Sequence, residues 1–394
     1  MSLSELLNKK IFYYFILIPF FKPGYFETIG ILDIIFNLWR VVSSGIIVLV
    51  YMKNNKASKF MIYLFLFQII LLYSTIINSG DIVRMVMYIA MNLGICAVIE
   101  LGLMYNKEMF IESFYKLINL IVWINFILFI IFPNGIYTNA AGRGNFIDID
   151  NLIAPVLIVA ILISIICSYI KFKKIKGKYI ITIIISVITI ILVWPATAVV
   201  ALFGSLGLII VNIISKKIYT IFNIYTYLGL YVLSFFGFVI FQFQNKFSLI
   251  IETLLGKSLT FSGRTIIWEN FIEVLKQSEY LKWIGRGVQP SNTLYVHKFG
   301  MSTHLHNQIF NIILESGFIG LLLFTIIIVI VVKVLYKNRC VYLSKVLSAI
   351  LFGFFVLMLM EAFRNITMFI TVLAFSYSVG YLKSDYKKNY NICK

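Results

Sequence analysis

The chain has 394 residues, of which 61% are hydrophobic and only 13% charged, at a mean hydropathy of +0.96. Soluble domains run at about 45–50% apolar and about 25% charged, and surface scaling would leave too few charges here to cover one soluble core. These figures exclude most soluble enzyme classes and disorder, and leave a polytopic membrane protein.

A bilayer-crossing helix needs about 20 mostly apolar residues. Such runs lie at roughly 10–22, 28–51, 59–78, 82–105, 113–133, 150–170, 178–194, 196–215, 219–242, 308–332, 341–360 and 362–382. The expected fold class is therefore all-α, with about twelve transmembrane helices. The first run is short, and the split at Trp194-Pro195 is open. Lys9-Lys10 precede the first run with no small-residue cleavage site after it, so it reads as an uncleaved span.

The net charge of +18 is distributed by topology, not for nucleic acid. Lysines cluster at 9–10, 53–59, 171–178, 216–217 and 383–388, flanking every second run, as the positive-inside rule produces. Placing both termini in the cytoplasm puts 21 of 27 lysines there. A nucleic-acid surface would gather its cations on one face. Cys96 and Cys167 fall within apolar runs and Cys340 and Cys393 on the Lys-rich side; none has a metal spacing, and no structural disulfide is expected.

Three parts follow: an N-terminal bundle at 1–242, a large extracytoplasmic loop at 243–307, and C-terminal spans with a cytoplasmic tail at 308–394. A second outer connection, 134–149, is rich in Gly and Asn. Long loops in compact proteins usually carry function. Within the larger one, Arg264–Gln277 places apolar residues at 266, 267, 271, 274 and 275, a helical period that Ser262 or Gly263 could cap.

Arginines do not follow the lysines. Of the seven, only Arg339 falls on the cytoplasmic side; Arg40 lies inside a span, Arg84 and Arg364 near outer span ends, and Arg143, Arg264 and Arg286 in the outer loops. Either cation satisfies insertion, but only a guanidinium offers paired donors to phosphate or carboxylate. Singly, each Arg could cap a helix or snorkel to lipid phosphate. As a set they point to an anionic ligand at the outer face, and ionisable Arg40 within a span points to a cavity.

His306 stands at the mouth of the tenth span, and Asn307, Asn311 and Glu315 follow at four-residue spacing on one face of an apolar helix. A polar stripe of this kind turns into the bundle, where it either glues helices or serves a site. Histidine is the side chain suited to accepting a proton near neutrality. His297 and His304 read as loop histidines, and Asp148 and Asp150 as polar loop residues rather than a metal pair.

The words SGRTIIW, IGRG and HNQIFNIILESGFIG, with Arg143-Gly144-Asn145-Phe146 before Asp150-Asn151-Leu152 and Ala154, resemble the O-antigen ligase and Wzy-type polysaccharide polymerase family. The resemblance implies a GT-C-like membrane fold and a metal-independent, inverting glycosyltransfer that needs no cofactor. The donor would be an undecaprenyl diphosphate-linked oligosaccharide taken from the outer leaflet of a bacterial cytoplasmic membrane, and a second lipid-linked unit would be the acceptor. Arg264 and Arg286 would hold the diphosphate, with Arg84 and Arg40 as further candidates. His306 would deprotonate the acceptor hydroxyl, supported by Arg143, Asn307, Asn311 and Glu315. A flippase and a chain-length regulator are the partners such a capsule or O-antigen polymerase works beside.

One departure is plain: many relatives carry Ser-Arg between the seventh and eighth spans, where this chain has Pro195-Ala196-Thr197. Two alternatives remain at this stage. A ligase would share the motifs and pass the glycan to another acceptor. A flippase would spread its cations through a cavity opening to both faces, whereas here they gather on one side.

Overall fold

The computed structural model describes residues 7–54, 56–139, 142–150, 152–214, 221–243, 263–290, 295–297, 300–302, 305–363 and 366–382. Within them the chain is an all-α bundle with two short β-ribbons. Seven of its helices are long and apolar enough to cross a membrane, and four shorter apolar helices accompany them.

In chain order the helices are α1 (Lys10–Leu17), α2 (Gly30–Asn54), α3 (Lys59–Ile77), α4 (Ile82–Ile131), α5 (Ile153–Phe172), α6 (Gly177–Val193), α7 (Ala196–Ile214) and α8 (Ile224–Ser234). Two amphipathic helices, α9 (Arg264–Gln277) and α10 (Glu279–Trp283), precede the long α11 (Gln308–Lys337), then α12 (Tyr342–Met360) and α13 (Thr367–Tyr377). Strands β1 (Tyr137–Asn139) and β2 (Gly142–Gly144) form one antiparallel hairpin, and β3 (Tyr295–His297) and β4 (Gly300–Ser302) another.

Burial separates the core from the rim. Along α5, Ile153 to Ile170 are buried on nearly every side, so this helix runs through the middle of the bundle. By contrast Ile31, Leu38, Leu49, Val200, Ile210 and Leu322 are exposed on α2, α7 and α11. Apolar side chains at that density belong against lipid rather than water.

The two apolar runs expected on either side of 106–112 are two helices within α4, and they meet at a kink at the single residue Asn106 (φ −150°, ψ 76°) rather than through a connection spanning 106–112. The Asn106 side chain accepts from Met109 N at 3.2 Å, so the break is also the N-cap of the second half. No loop is needed where one residue can stop and restart a helix. The division at Trp194-Pro195 is present: Trp194 takes a left-handed conformation (φ 55°) that ends α6, and Pro195 leads into α7.

Cys340, in the turn between α11 and α12, is disulfide-bonded, against the expectation of no structural disulfide. Sequence spacing carries no information about which thiols a fold brings within bonding reach. Cys96 and Cys167 are buried free thiols.

Candidate functional site

The two amphipathic helices and the turn after them close over one end of the bundle, where α3 ends, α4 and α11 begin, and α12 ends. Hydrogen bonds tie the parts together. Arg286 N donates to Leu314 O at 2.6 Å and Gly287 N to Glu315 O at 2.9 Å, so the turn of residues 285–287 lies against the second turn of α11. Val288 N donates to the Thr75 hydroxyl at 3.0 Å, and Asp81 N to Val288 O at 2.8 Å, fixing the same turn to α3 and α4.

The α11 helix yields to this contact. Gly317 breaks its regular geometry with φ 64° and ψ −170°, a conformation glycine adopts without steric penalty. Two words of the sequence, IGRG and LESGFIG, are thus the two sides of one packed joint.

At the start of α9, Gly263 holds φ 87° in the N-cap position. Trp268, fully buried, donates its indole N–H to Leu305 O at 2.9 Å and anchors the helix beside the entrance of α11. That anchorage brings Arg264 to the end of α12. Its Nη2 lies 2.6 Å from Glu361 Oε1, the length of a strong charge-assisted bond. The other carboxylate oxygen, Oε2, is 3.5 Å from His306 Nδ1. Arg264, Glu361 and His306 come from three separate elements and share one nearly enclosed carboxylate, its side chain 10% exposed. Burial pushes the Glu361 carboxyl up, but its contact with His306 and the charge of Arg264 outweigh this and hold it below its usual value.

His306 itself has φ 49°, unusual for a non-glycine residue. Left-handed backbone of this sort costs about 1–2 kcal/mol and concentrates at functional sites. Next to it Asn307 is fully buried and caps α11: its Oδ1 accepts from Phe310 N at 3.1 Å, and its Nδ2 donates to Leu359 O at 2.9 Å. Asn311 donates to Glu315 Oε1 at 3.0 Å one turn later. The expected polar stripe therefore exists, with Asn307 serving as a cap and a tie to α12.

Arg84 and Arg286 both lie near the α3–α4 turn, Arg84 beside Asp81 at 3.7 Å. The Arg84 guanidinium donates to Gln289 O at 3.0 Å and its charge acts on Glu315, while the Arg286 side chain is exposed. Arg40 and Arg143 are placed elsewhere, in the layer built by the first loop and the β1–β2 hairpin. Arg40 is buried and donates to Pro19 O at 2.9 Å and to Asn37 Oδ1 at 3.2 Å. Arg143 pairs with Asp150 at 3.0 Å and donates to Pro133 O at 2.7 Å. His297 lies in β3; Ser262, His304 and Arg364 fall outside the described residues.

Glu361 is the candidate site residue that sequence reasoning missed. It ends an apolar run with no motif around it, and its partners are 97 and 55 residues away. The usable signal was chemical: a lone carboxylate between two spans needs a cation, and the arginines were the ones to search. Among the described residues no three of His, Cys, Asp and Glu gather as metal ligands would. Compared with known protein families, curated proteins and solved structures, the chain matches none of them.

Proposed function

We propose that the protein is a membrane glycosyltransferase of the polysaccharide polymerase type, joining oligosaccharide units carried on undecaprenyl diphosphate. The observation that carries this reading is the convergence of Arg264, Glu361 and His306 at the helix-covered end of the bundle. A guanidinium able to match phosphate and an imidazole able to accept a proton share one carboxylate there, on an apolar bundle suited to an isoprenoid carrier. In this reading the bundle has about twelve spans in a GT-C-like arrangement, its Lys-rich end faces the cytoplasm, and chemistry takes place at the outer leaflet of a bacterial cytoplasmic membrane.

The steps follow from the chemistry of those groups. Arg264 and Arg286 bind the donor diphosphate, with Arg84 as a further candidate. The acceptor hydroxyl oxygen attacks the anomeric carbon as its proton passes to His306. The bond from that carbon to the phosphate oxygen breaks, and its electron pair leaves on the lipid diphosphate, where the guanidinium charges stabilise it. With Nδ1 turned to Glu361, Nε2 is the nitrogen that takes the proton. A ligase would use the same groups with a different acceptor.

Turnover of a purified lipid-linked repeat unit by the purified protein tests this directly. A general base contributes about 10²–10⁴-fold in rate, so His306→Ala should lose that much and His297→Ala almost nothing. Transfer to a non-glycan acceptor would select the ligase reading. Undiminished turnover in His306→Ala would sink the assignment.

A further inference from the structure

The reaction proposed above assigns no step to Glu361, yet Glu361 is the residue that joins its two main actors. The two contacts are unequal. Oε1 lies 2.6 Å from Arg264 and Oε2 3.5 Å from His306 Nδ1, beyond a good hydrogen bond. In this state the carboxylate lies nearer the arginine than the histidine. The side chain of Arg264 is itself mostly enclosed, 18% exposed, so its anion partner sits where a ligand's anion would have to sit.

We propose that Glu361 is a positioning residue that fills the anion seat on Arg264 until the donor diphosphate takes it, and then closes onto His306 Nδ1. The inference rests on the reading of Arg264 and His306 given above. Carboxylate and phosphate oxygens compete for the same paired guanidinium donors. Once displaced, a carboxylate this enclosed cannot stand alone without a large desolvation cost, and the imidazole is already within 3.5 Å. Closing that gap fixes the ring with Nε2 toward the acceptor hydroxyl and stabilises the imidazolium that forms as the proton arrives. Full positioning of the base thus waits for a loaded donor site.

A merely structural ion pair predicts that removing the charge harms binding and turnover together. The hand-over predicts that they part. With the full-length protein in detergent, farnesyl diphosphate binding by calorimetry should be about tenfold tighter in Glu361→Gln than in wild type, in the range such couplings reach. In the same variant kcat on lipid-linked oligosaccharide should fall roughly 10²-fold, as expected when a reacting group loses its orientation.

Glu361→Asp keeps the charge but shortens the reach, and serves if the glutamine variant is unstable. Its kcat should fall while its farnesyl diphosphate affinity stays within about twofold of wild type or rises. Weaker binding together with lower kcat in either variant, or unchanged kcat in both, overturns the hand-over while leaving the glycosyltransfer reading intact. Wild-type protein that fails to bind farnesyl diphosphate, with His306→Ala fully active, overturns both.

Discussion

Gly317 and Trp283 touch through their backbones. A Cβ on Gly317 would fall 2.2 Å from the Trp283 carbonyl oxygen, and Gly317 also holds φ 64°. The contact is reciprocated nearby: a Cβ on Gly285 (φ 82°) would lie 2.5 Å from the Glu315 carbonyl carbon, and one on Gly287 (φ 73°) 2.3 Å from Thr75 Cα. Three glycines therefore set how closely the covering turn approaches α3 and α11.

Alanine at 285, 287 or 317 meets both left-handed strain and backbone overlap. Strain costs about 1–2 kcal/mol, and overpacking typically about 1–3 kcal/mol more. Each variant should lower the apparent melting temperature in detergent. Gly207→Ala is the control, since it lies in α7 with nothing within 4 Å of its Cβ. Equal melting temperatures for Gly317→Ala and Gly207→Ala would mean the joint is looser than described.

Much of this architecture was legible in the amino acids. Hydropathy located the apolar helices, and period alone bounded α9 at Arg264–Gln277. What escaped was long-range or depended on single residues. Nothing local distinguishes Asn106 as a helix-to-helix cap from Asn106 in a loop. The IGRG word is visible in the sequence, but its docking on Leu314 and Glu315 is tertiary. Of the arginines grouped by their place in the chain, Arg40 and Arg143 proved to be satisfied by nearby carbonyls and side chains, while Arg264 found its partner across most of the C-terminal third.

That division predicts how arginine variants will separate. Lys retains charge but lacks the paired donors. Arg264→Lys and Arg286→Lys should each cut polymer formation per molecule of inserted protein, with Arg264 the more sensitive. Arg40→Lys and Arg143→Lys should instead reduce the amount of folded protein, because Pro19 O and Pro133 O each lose a guanidinium donor. Quantifying polymer against membrane-extracted protein by size exclusion separates the two effects. Wild-type polymer yield from Arg264→Lys would return that residue to a capping role.

The held-down Glu361 carboxyl gives a signed pH effect. A carboxyl whose folded value lies below its unfolded value, about 4.3 for Glu, contributes its full stability above that unfolded value. As pH falls further the unfolded chain takes up protons first, so the contribution shrinks and is lost through the folded value. The stability difference between wild type and Glu361→Gln should therefore close as the pH falls below about 4. Melting curves across that range measure it. A gap that stays open below about pH 4 would mean that the contact with His306 and the charge of Arg264 do not hold this carboxyl down.

The orientation of the bundle has a direct handle in two exposed positions. Ala57 precedes α3, whereas Tyr280 in α10 is within 3.3 Å of Asn78 just beyond the other end of the same helix. Nineteen residues separate the ends of α3, about 28 Å at helical rise, close to the thickness of a hydrocarbon core. Positions 57 and 279 thus report opposite ends of the bundle, and Glu279 has a side chain 73% exposed. The native thiols Cys96 and Cys167 are buried and should stay silent. In intact cells, Glu279→Cys should react with a membrane-impermeant maleimide and Ala57→Cys only after permeabilisation, as the positive-inside rule expects for the lysines at 53, 56 and 59. The reverse pattern would put His306, Arg264 and Glu361 in the cytoplasm and remove the basis for a donor drawn from the outer leaflet.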